Sequence, residues 1–248
     1  MANSESISNW WNQMLSVPFI ASKIDPQGME CEIGGSSYYF QHMNRDYRLL
    51  FGPAAAAILA LGIAGLALLV PGYDHGRQTV SEIGEIGSPA RVPFAIMLGC
   101  VAACILVFAI GIRDWCLNAG HSQFLAWLIG FMALSATGIG IFAYPHPLHN
   151  VFGISELIAY QAPLFLALTW RRDSQARTMV VVSWILFAII VVAIVLNLSS
   201  IDRQGAVWAY VRPAYGLAQR LLFAAWFGWC AAMGFLVFRS PLGAFPTR

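Results

Sequence analysis

The chain has 248 residues, 58% of them hydrophobic and 10% charged, with a mean hydropathy of +0.66. A soluble domain carries about 25% charged residues, so this chain cannot cover a water-facing surface of its own size. The net charge of +2 does not supply the concentrated basic face of a nucleic-acid binder, and five cysteines without a Cys-x-x-Cys pair argue against a disulfide framework or a structural zinc site.

The first 49 residues lack the basic start and apolar core of a signal peptide. Within them "ISNWWNQMLSVPFIA" is too short and too polar to span a bilayer. Trp10 and Trp11 suit the headgroup level. The segment is therefore expected to be an interfacial helix, or a disordered arm that docks a protein partner. A transmembrane helix needs about 20 mostly apolar residues, and six stretches qualify: Leu50–Val70, Val92–Ile112, Phe124–Ala143, Val151–Trp170, Met179–Leu198 and Ala214–Phe238. The expected fold is all-α, a six-transmembrane-helix bundle over residues 50–238, with an N-terminal segment before it and a short tail, residues 239–248, after it.

Local punctuation marks the span ends. Pro71-Gly72 is expected to end the first span and Tyr144-Pro145 the third, with Ser88-Pro89 as cap and first residue of the second. Pro147 is expected to keep the "YPHPLHN" turn from continuing as helix. Gly62, Gly65, Gly130, Gly138 and Gly140 are small residues of the kind that let membrane helices pack closely. The fifth span is β-branched and nearly featureless, and reads as lipid-facing. Arg113, Arg171, Arg172, Arg177, Arg239 and Arg248 flank one side, joined by Lys23, Arg45 and Arg48. Arg77, Arg91, Arg203 and Arg212 flank the other. The positive-inside rule then places both termini in the cytoplasm of a multi-pass inner-membrane protein.

Polar residues collect in the outer connections. "PGYDHGRQTVSEIGEIGSPAR", "YPHPLHN" and "SSIDRQGAVWAYVRPAYG" hold three of the five histidines and most acids outside the N-terminal segment. "TVSEIGEIGSP" is expected as a short helix or re-entrant turn over the bundle mouth, or a loop in which Ser81 caps a turn. Ser81, Glu82, His75 and His149 are the candidate catalytic groups: a serine activated by a histidine is a nucleophile, and His75 or His149 is the acid–base candidate. Glu156 lies seven residues past His149 and Arg220 seven residues past Pro213, each roughly 10 Å deep at 1.5 Å per residue. Charges at that depth should face inward and be paired, so they are expected to pair with each other, either as a structural contact or as part of a substrate site. Tyr160 shares the helical stripe of His149 and Glu156, and Tyr215 and Gln219 share that of Arg212. These side chains, with Arg220 and Arg212, are the candidate substrate-binding set. An alternative grouping, His75, His146, His149, Asp74 and Asp202, would suit a catalytic zinc ion, although "HPLH" is not a helical metal motif. No cofactor motif is visible.

"HGRQTVSEIGEIGSP" after the first span, a histidine opening the fourth, and "YGLAQR" in the sixth resemble family nine-nine-eight of the domain-of-unknown-function series, a bacterial and archaeal membrane family. The likeness runs from about Leu50 to Phe238, and its pattern carries over to His75, Ser81, Glu82, His149, Gly216 and Arg220. That family is similar in layout to the Frag/DRAM/Sfk group, some of whose members are implicated in lipid remodelling or distribution. The resemblance implies six helices and a polar outer site, and no established activity. The expected function is an outer pocket that binds a membrane lipid or other amphiphile, with or without chemical modification. The alternative is a non-catalytic subunit or assembly factor of a membrane complex, reached through the N-terminal segment. Nucleic acid is not an expected partner.

Overall fold

The first apolar run opens on a 3-10 turn, Tyr47–Leu50, where the Asp46 carboxyl accepts the Arg48 backbone N–H at 3.0 Å. It continues as α1, Phe51–Ala67. The computed structural model describes residues 46–240, and its further elements are α2 Val80–Ile83, α3 Arg91–Asn118, α4 Phe124–Ile141, α5 Pro147–Ala159, α6 Ala162–Thr169, α7 Arg177–Leu198, α8 Ala206–Val211 and α9 Tyr215–Arg239. No strand occurs among the described residues. Six stretches are long and apolar enough to cross a membrane: Tyr47–Ala67, Arg91–Asn118, Phe124–Ile141, Pro147–Thr169, Arg177–Leu198 and Ala206–Arg239. This is the layout of a multi-pass membrane protein. The readings made on the N-terminal segment, including Trp10 and Trp11, and on the tail after Ser240 lie outside the described residues.

Several boundaries differ from the sequence reading, each for a local reason. Helix α3 runs on to Asn118 and carries Arg113 and Asp114 in its last turns. The second span starts at Arg91 rather than at Pro89: the Ser88 hydroxyl donates to the Ile83 carbonyl at 2.6 Å and accepts the Ala90 N–H at 3.1 Å, holding a turn instead of a cap. Pro147 does not block the fourth span; it begins it. A proline at the first helical position loses no needed N–H, and His146 caps the helix by accepting the Leu148 N–H on Nδ1 at 3.2 Å.

The fourth span is interrupted between α5 and α6. An unbroken helix would bond the N–H of residue 163 to the Ala159 carbonyl, but Pro163 has no N–H. The Trp226 indole N–H fills that place from α9, reaching the Ala159 oxygen at 3.0 Å. Pro213 similarly divides the sixth span, where a 3-10 turn at Arg212–Ala214 separates α8 from α9.

Neighbours close into a ring: α1 packs on α3, α3 on α4, α4 on α5, α6 on α7, α7 on α9, and α9 back on α1. Small residues set some of these approaches. A side chain at Gly62 would strike Met97, and one at Gly138 would strike the Phe152 ring. Gly65 does not belong to this set, because a Cβ there would meet nothing within 4 Å. Helix α7 buries Met179, Ser183, Ile190 and Ala193 and leaves most of its β-branched surface open, as expected of a lipid-facing span.

Candidate functional site

At one end of the bundle lie three connections, residues 68–90, 142–146 and 199–214. The first is folded inward by α9. A side chain at Gly216 would run into the carbonyl oxygens of Gln78 and His75, so its absence lets the helix and the loop touch. One turn on, Arg220 Nη1 donates to the His75 and Gln78 carbonyls, both at 2.9 Å, and Nη2 donates to the Tyr73 hydroxyl at 2.7 Å. Tyr73 in turn donates to the Thr79 carbonyl at 2.6 Å. Burial pushes the Tyr73 hydroxyl above its ordinary pKa, while Arg220 opposes that shift. The Gln219 side-chain oxygen accepts the Val80 N–H at 2.6 Å. The Gly-x-x-x-Arg spacing of the sixth span is thus a clamp on the loop that leads to α2.

Helix α2 is short and capped by its own sequence. Glu82 accepts the Thr79 N–H at 3.1 Å and the Thr79 hydroxyl at 2.9 Å on one oxygen, and the Gln78 amide at 3.0 Å on the other. This is a capping box, which occupies both oxygens of Glu82. Ser81 is left to point elsewhere. Its Oγ lies 3.0 Å from His149 Nε2, and His149 Nδ1 lies 2.8 Å from the Phe142 carbonyl oxygen. A carbonyl only accepts, so Nδ1 carries a proton. In the neutral ring Nε2 then holds the lone pair, and the serine hydroxyl donates to it. His149 is buried, at the third residue of α5.

Ser81 and His149 open onto a chamber of about 1210 Å³. Glu82, Glu156, Tyr160, Arg212, Tyr215 and Gln219 also line it, whereas His75 and Arg220 do not. The expected Glu156–Arg220 pair does not form. Glu156 accepts the Tyr160 hydroxyl at 2.6 Å, one helical turn away, while Arg220 faces the loop carbonyls. Arg220 holds the site's backbone instead of facing a ligand in the chamber. His75 stacks edge-on against Tyr73. Among the described residues no three His, Cys, Asp or Glu side chains converge to hold a metal ion, so the histidine–aspartate grouping is not assembled. His146 serves as the α5 cap and stacks on Phe142.

Three contributors were not singled out from the sequence as site residues. Arg77 and Arg203 join Arg212 in the chamber lining, and the Phe142 carbonyl orients His149. The arginines were visible as residues of the outer connections. A backbone carbonyl at a helix end leaves no mark in sequence.

A family model described as a protein of unknown function (DUF998) matches residues 53–236. The chain belongs to the DUF998 family. The match covers the loop clamp, the Ser81–His149 contact and all of the chamber lining named above. No curated protein and no solved structure matches the chain, and the likeness of DUF998 proteins to the Frag/DRAM/Sfk group is not shown by these comparisons.

Proposed function

We propose that this DUF998 protein binds an anionic amphiphile, headgroup toward the connections and acyl chain toward the bundle interior. The observation that carries this reading is the change in chamber lining with depth. Arg77, Arg203 and Arg212 line the chamber from the connections, and Leu98, Val101, Met132 and Phe227 line it further in. Planar guanidinium groups suit phosphate or carboxylate oxygens, and aliphatic walls suit a hydrocarbon chain. Pockets for drug-sized ligands measure about 300–1,000 Å³, so the chamber has room for a chain-bearing molecule.

The same arginine count supports an orientation. Arg48, Arg113, Arg171, Arg172, Arg177 and Arg239 lie at the end opposite the chamber, against Arg77, Arg91, Arg203 and Arg212 at the chamber end. Under the positive-inside rule both termini are cytoplasmic, in the inner membrane, and the chamber opens to the outer leaflet. Single cysteines introduced beside Asp173 and Asp202 test this: an impermeant thiol reagent on intact cells should reach only the second.

Native mass spectrometry of the protein purified in mild detergent tests the binding. An anionic amphiphile retained at one per chain is expected. Loss of every amphiphile, together with a stoichiometric protein partner, would favour the subunit or assembly-factor role.

A further inference from the structure

The Ser81–His149 contact has the geometry of an activated nucleophile, and α2 and its loop are also held by other bonds. Glu82, Gln78 and Thr79 already cap α2, and Arg220 and Gln219 already hold the loop. The Ser81 side chain takes no part in that cap or that clamp. It instead places its oxygen 3.0 Å from an imidazole nitrogen whose lone pair is fixed by the 2.8 Å bond from the other ring nitrogen to the Phe142 carbonyl. That is the requirement for general-base activation: nucleophile, base and an orienting group in series. Two elements far apart in sequence supply the pair, α2 and α5, and both side chains face the chamber.

We propose that Ser81 is an acyl-accepting nucleophile with His149 as its base, and that the chamber hydrolyses a carboxylic ester of an amphiphile. The substrate class rests on the binding reading above. An ester bond joins headgroup to acyl chain, so it lies where polar lining gives way to apolar lining, the level of the dyad. Ser81 Oγ attacks the ester carbonyl carbon as its proton passes to His149 Nε2. The C–O bond to the headgroup breaks, and the leaving alkoxide takes that proton. Water then attacks the acyl-Ser81 carbonyl, giving one proton to His149. The acid departs, and Ser81 regains its hydrogen from the imidazolium. The Tyr144 ring sits edge-on to His149 with centroids 5.9 Å apart, and Tyr144 and Asn150 both line the chamber. Their hydroxyl and amide are, among the chamber's donors, the two assigned to the developing oxyanion.

The test uses the full chain in mild detergent and a fluorophosphonate bearing a long alkyl chain, which phosphonylates activated serines. The expected result is one adduct per chain, mapped to Ser81 and absent from Ser81→Ala. His149→Gln should slow labelling by about 100-fold or more, in the range of lost general-base catalysis. Acidification should slow the wild type in the same way, a response that a structural serine would not give. Ser81→Ala gives up the bond to His149, so a small fall in Tm is expected, and a wild-type elution profile shows that the variant remains folded. Folded wild type that stays unmodified at Ser81, or His149→Gln that labels at the wild-type rate, would overturn the proposal. The two readings fail separately. Retained amphiphile with an inert Ser81 removes the nucleophile and leaves the binding. A labelled Ser81 in protein that holds no amphiphile keeps the nucleophile and removes the amphiphilic substrate.

Discussion

At one end of the bundle, Arg48 is held by Asp46 at 2.7 Å and by Asp114 at 2.9 Å, and Arg113 reaches Asp114 at 3.2 Å and Gln123 at 3.1 Å. His121 donates to Asp173 at 3.2 Å and lies stacked against both Trp115 and Trp170. At the other end Ser81, His149, Glu156 and Arg212 face a chamber, and among the described residues none of the four enters an ion pair. Helix ends and basic residues are common to both ends. Polar groups bond to one another at both ends, but at the chamber end several of them, Arg212 among them, also face open space. Polar groups that saturate one another contribute to stability. Those kept around a void add little to it and are available for chemistry. Substitutions at the two ends should therefore separate along those lines.

The largest loss of stability is expected from Arg220, which holds the loop backbone at the chamber end. Hydrogen bonds to a charged group are worth about 1.5–3 kcal/mol each, and Arg220→Gln removes several from the 73–78 loop. A loss of about 3 kcal/mol or more is expected, read as a lowered Tm in detergent, with Ser81 labelling lost as the loop relaxes. Glu156→Gln should cost under about 1 kcal/mol, because the amide oxygen still accepts the Tyr160 hydroxyl. The double variant should show the sum of the two losses, as residues without a shared partner do. Recovery in the double variant would restore the direct pair that the two depths in sequence suggested.

His121 comes next. His121→Ala removes a polar contact and the ring stacked on two tryptophans, for a loss of about 1–3 kcal/mol. His121→Phe keeps the stacking and should recover more than half of it. A Tm unchanged in His121→Ala would remove the contrast between the ends.

The effects of these residues differ from what their sequence positions suggest, and the reason is geometric. Span number was legible because runs of about 20 apolar residues have one economical use in a chain this poor in charge. The gathering of polar residues into three connections was legible too, and so were Ser81 and His149 as candidates. Partner choice was not. Arg220 looked buried because it lies seven residues past Pro213 in an apolar run, but the 73–80 loop descends to meet it past Gly216, and a loop's path has no periodicity to read. Glu156 found Tyr160 one turn along its own helix, a spacing visible in sequence but given to the stripe and not to a bond. Pro147 was read as a helix breaker where its place just after the capping His146 makes it a helix starter. Val151–Trp170 was read as one stretch although Pro163 within it lacks the N–H that a continuous helix needs.

A smaller effect is expected from pH at the saturated end. The Arg48 guanidinium bonded to Asp46 holds that carboxyl below its ordinary value, more than offsetting the effect of burial. A carboxyl with a depressed folded pKa contributes its full stability above the unfolded value of about 3.9. That contribution is lost as pH falls through the folded pKa. Acidification from pH 6 toward pH 3 should therefore lower the Tm of the wild type more than that of Asp46→Asn. Partly exposed pairs are worth about 0–1 kcal/mol, so the gap between the two curves should be small. Curves that stay parallel would mean that the Arg48 bond to Asp46 contributes nothing to folding.

The smallest expected change in stability is at Arg212, and it sharpens the comparison most. Arg212 lines the chamber and is exposed, and among the described residues it forms no ion pair. Removing its guanidinium leaves no buried acid unpaired and opens no cavity in the core. Arg212→Ala should stay within about 0.5 kcal/mol of wild type, the usual range for surface substitutions. Binding should respond differently. A charge-assisted bond to phosphate or carboxylate is roughly twice as strong as a neutral one, and losing about 1.4 kcal/mol weakens affinity tenfold. The amphiphile retained on native mass spectrometry should fall accordingly, with the anionic species lost before any zwitterionic one. Arg212→Lys keeps the charge but not the planar fork, and should fall between wild type and alanine. A variant that loses stability and keeps its amphiphile would place Arg212 with the saturated polar groups of the opposite end, and the chamber would lose one of the arginines of its headgroup site.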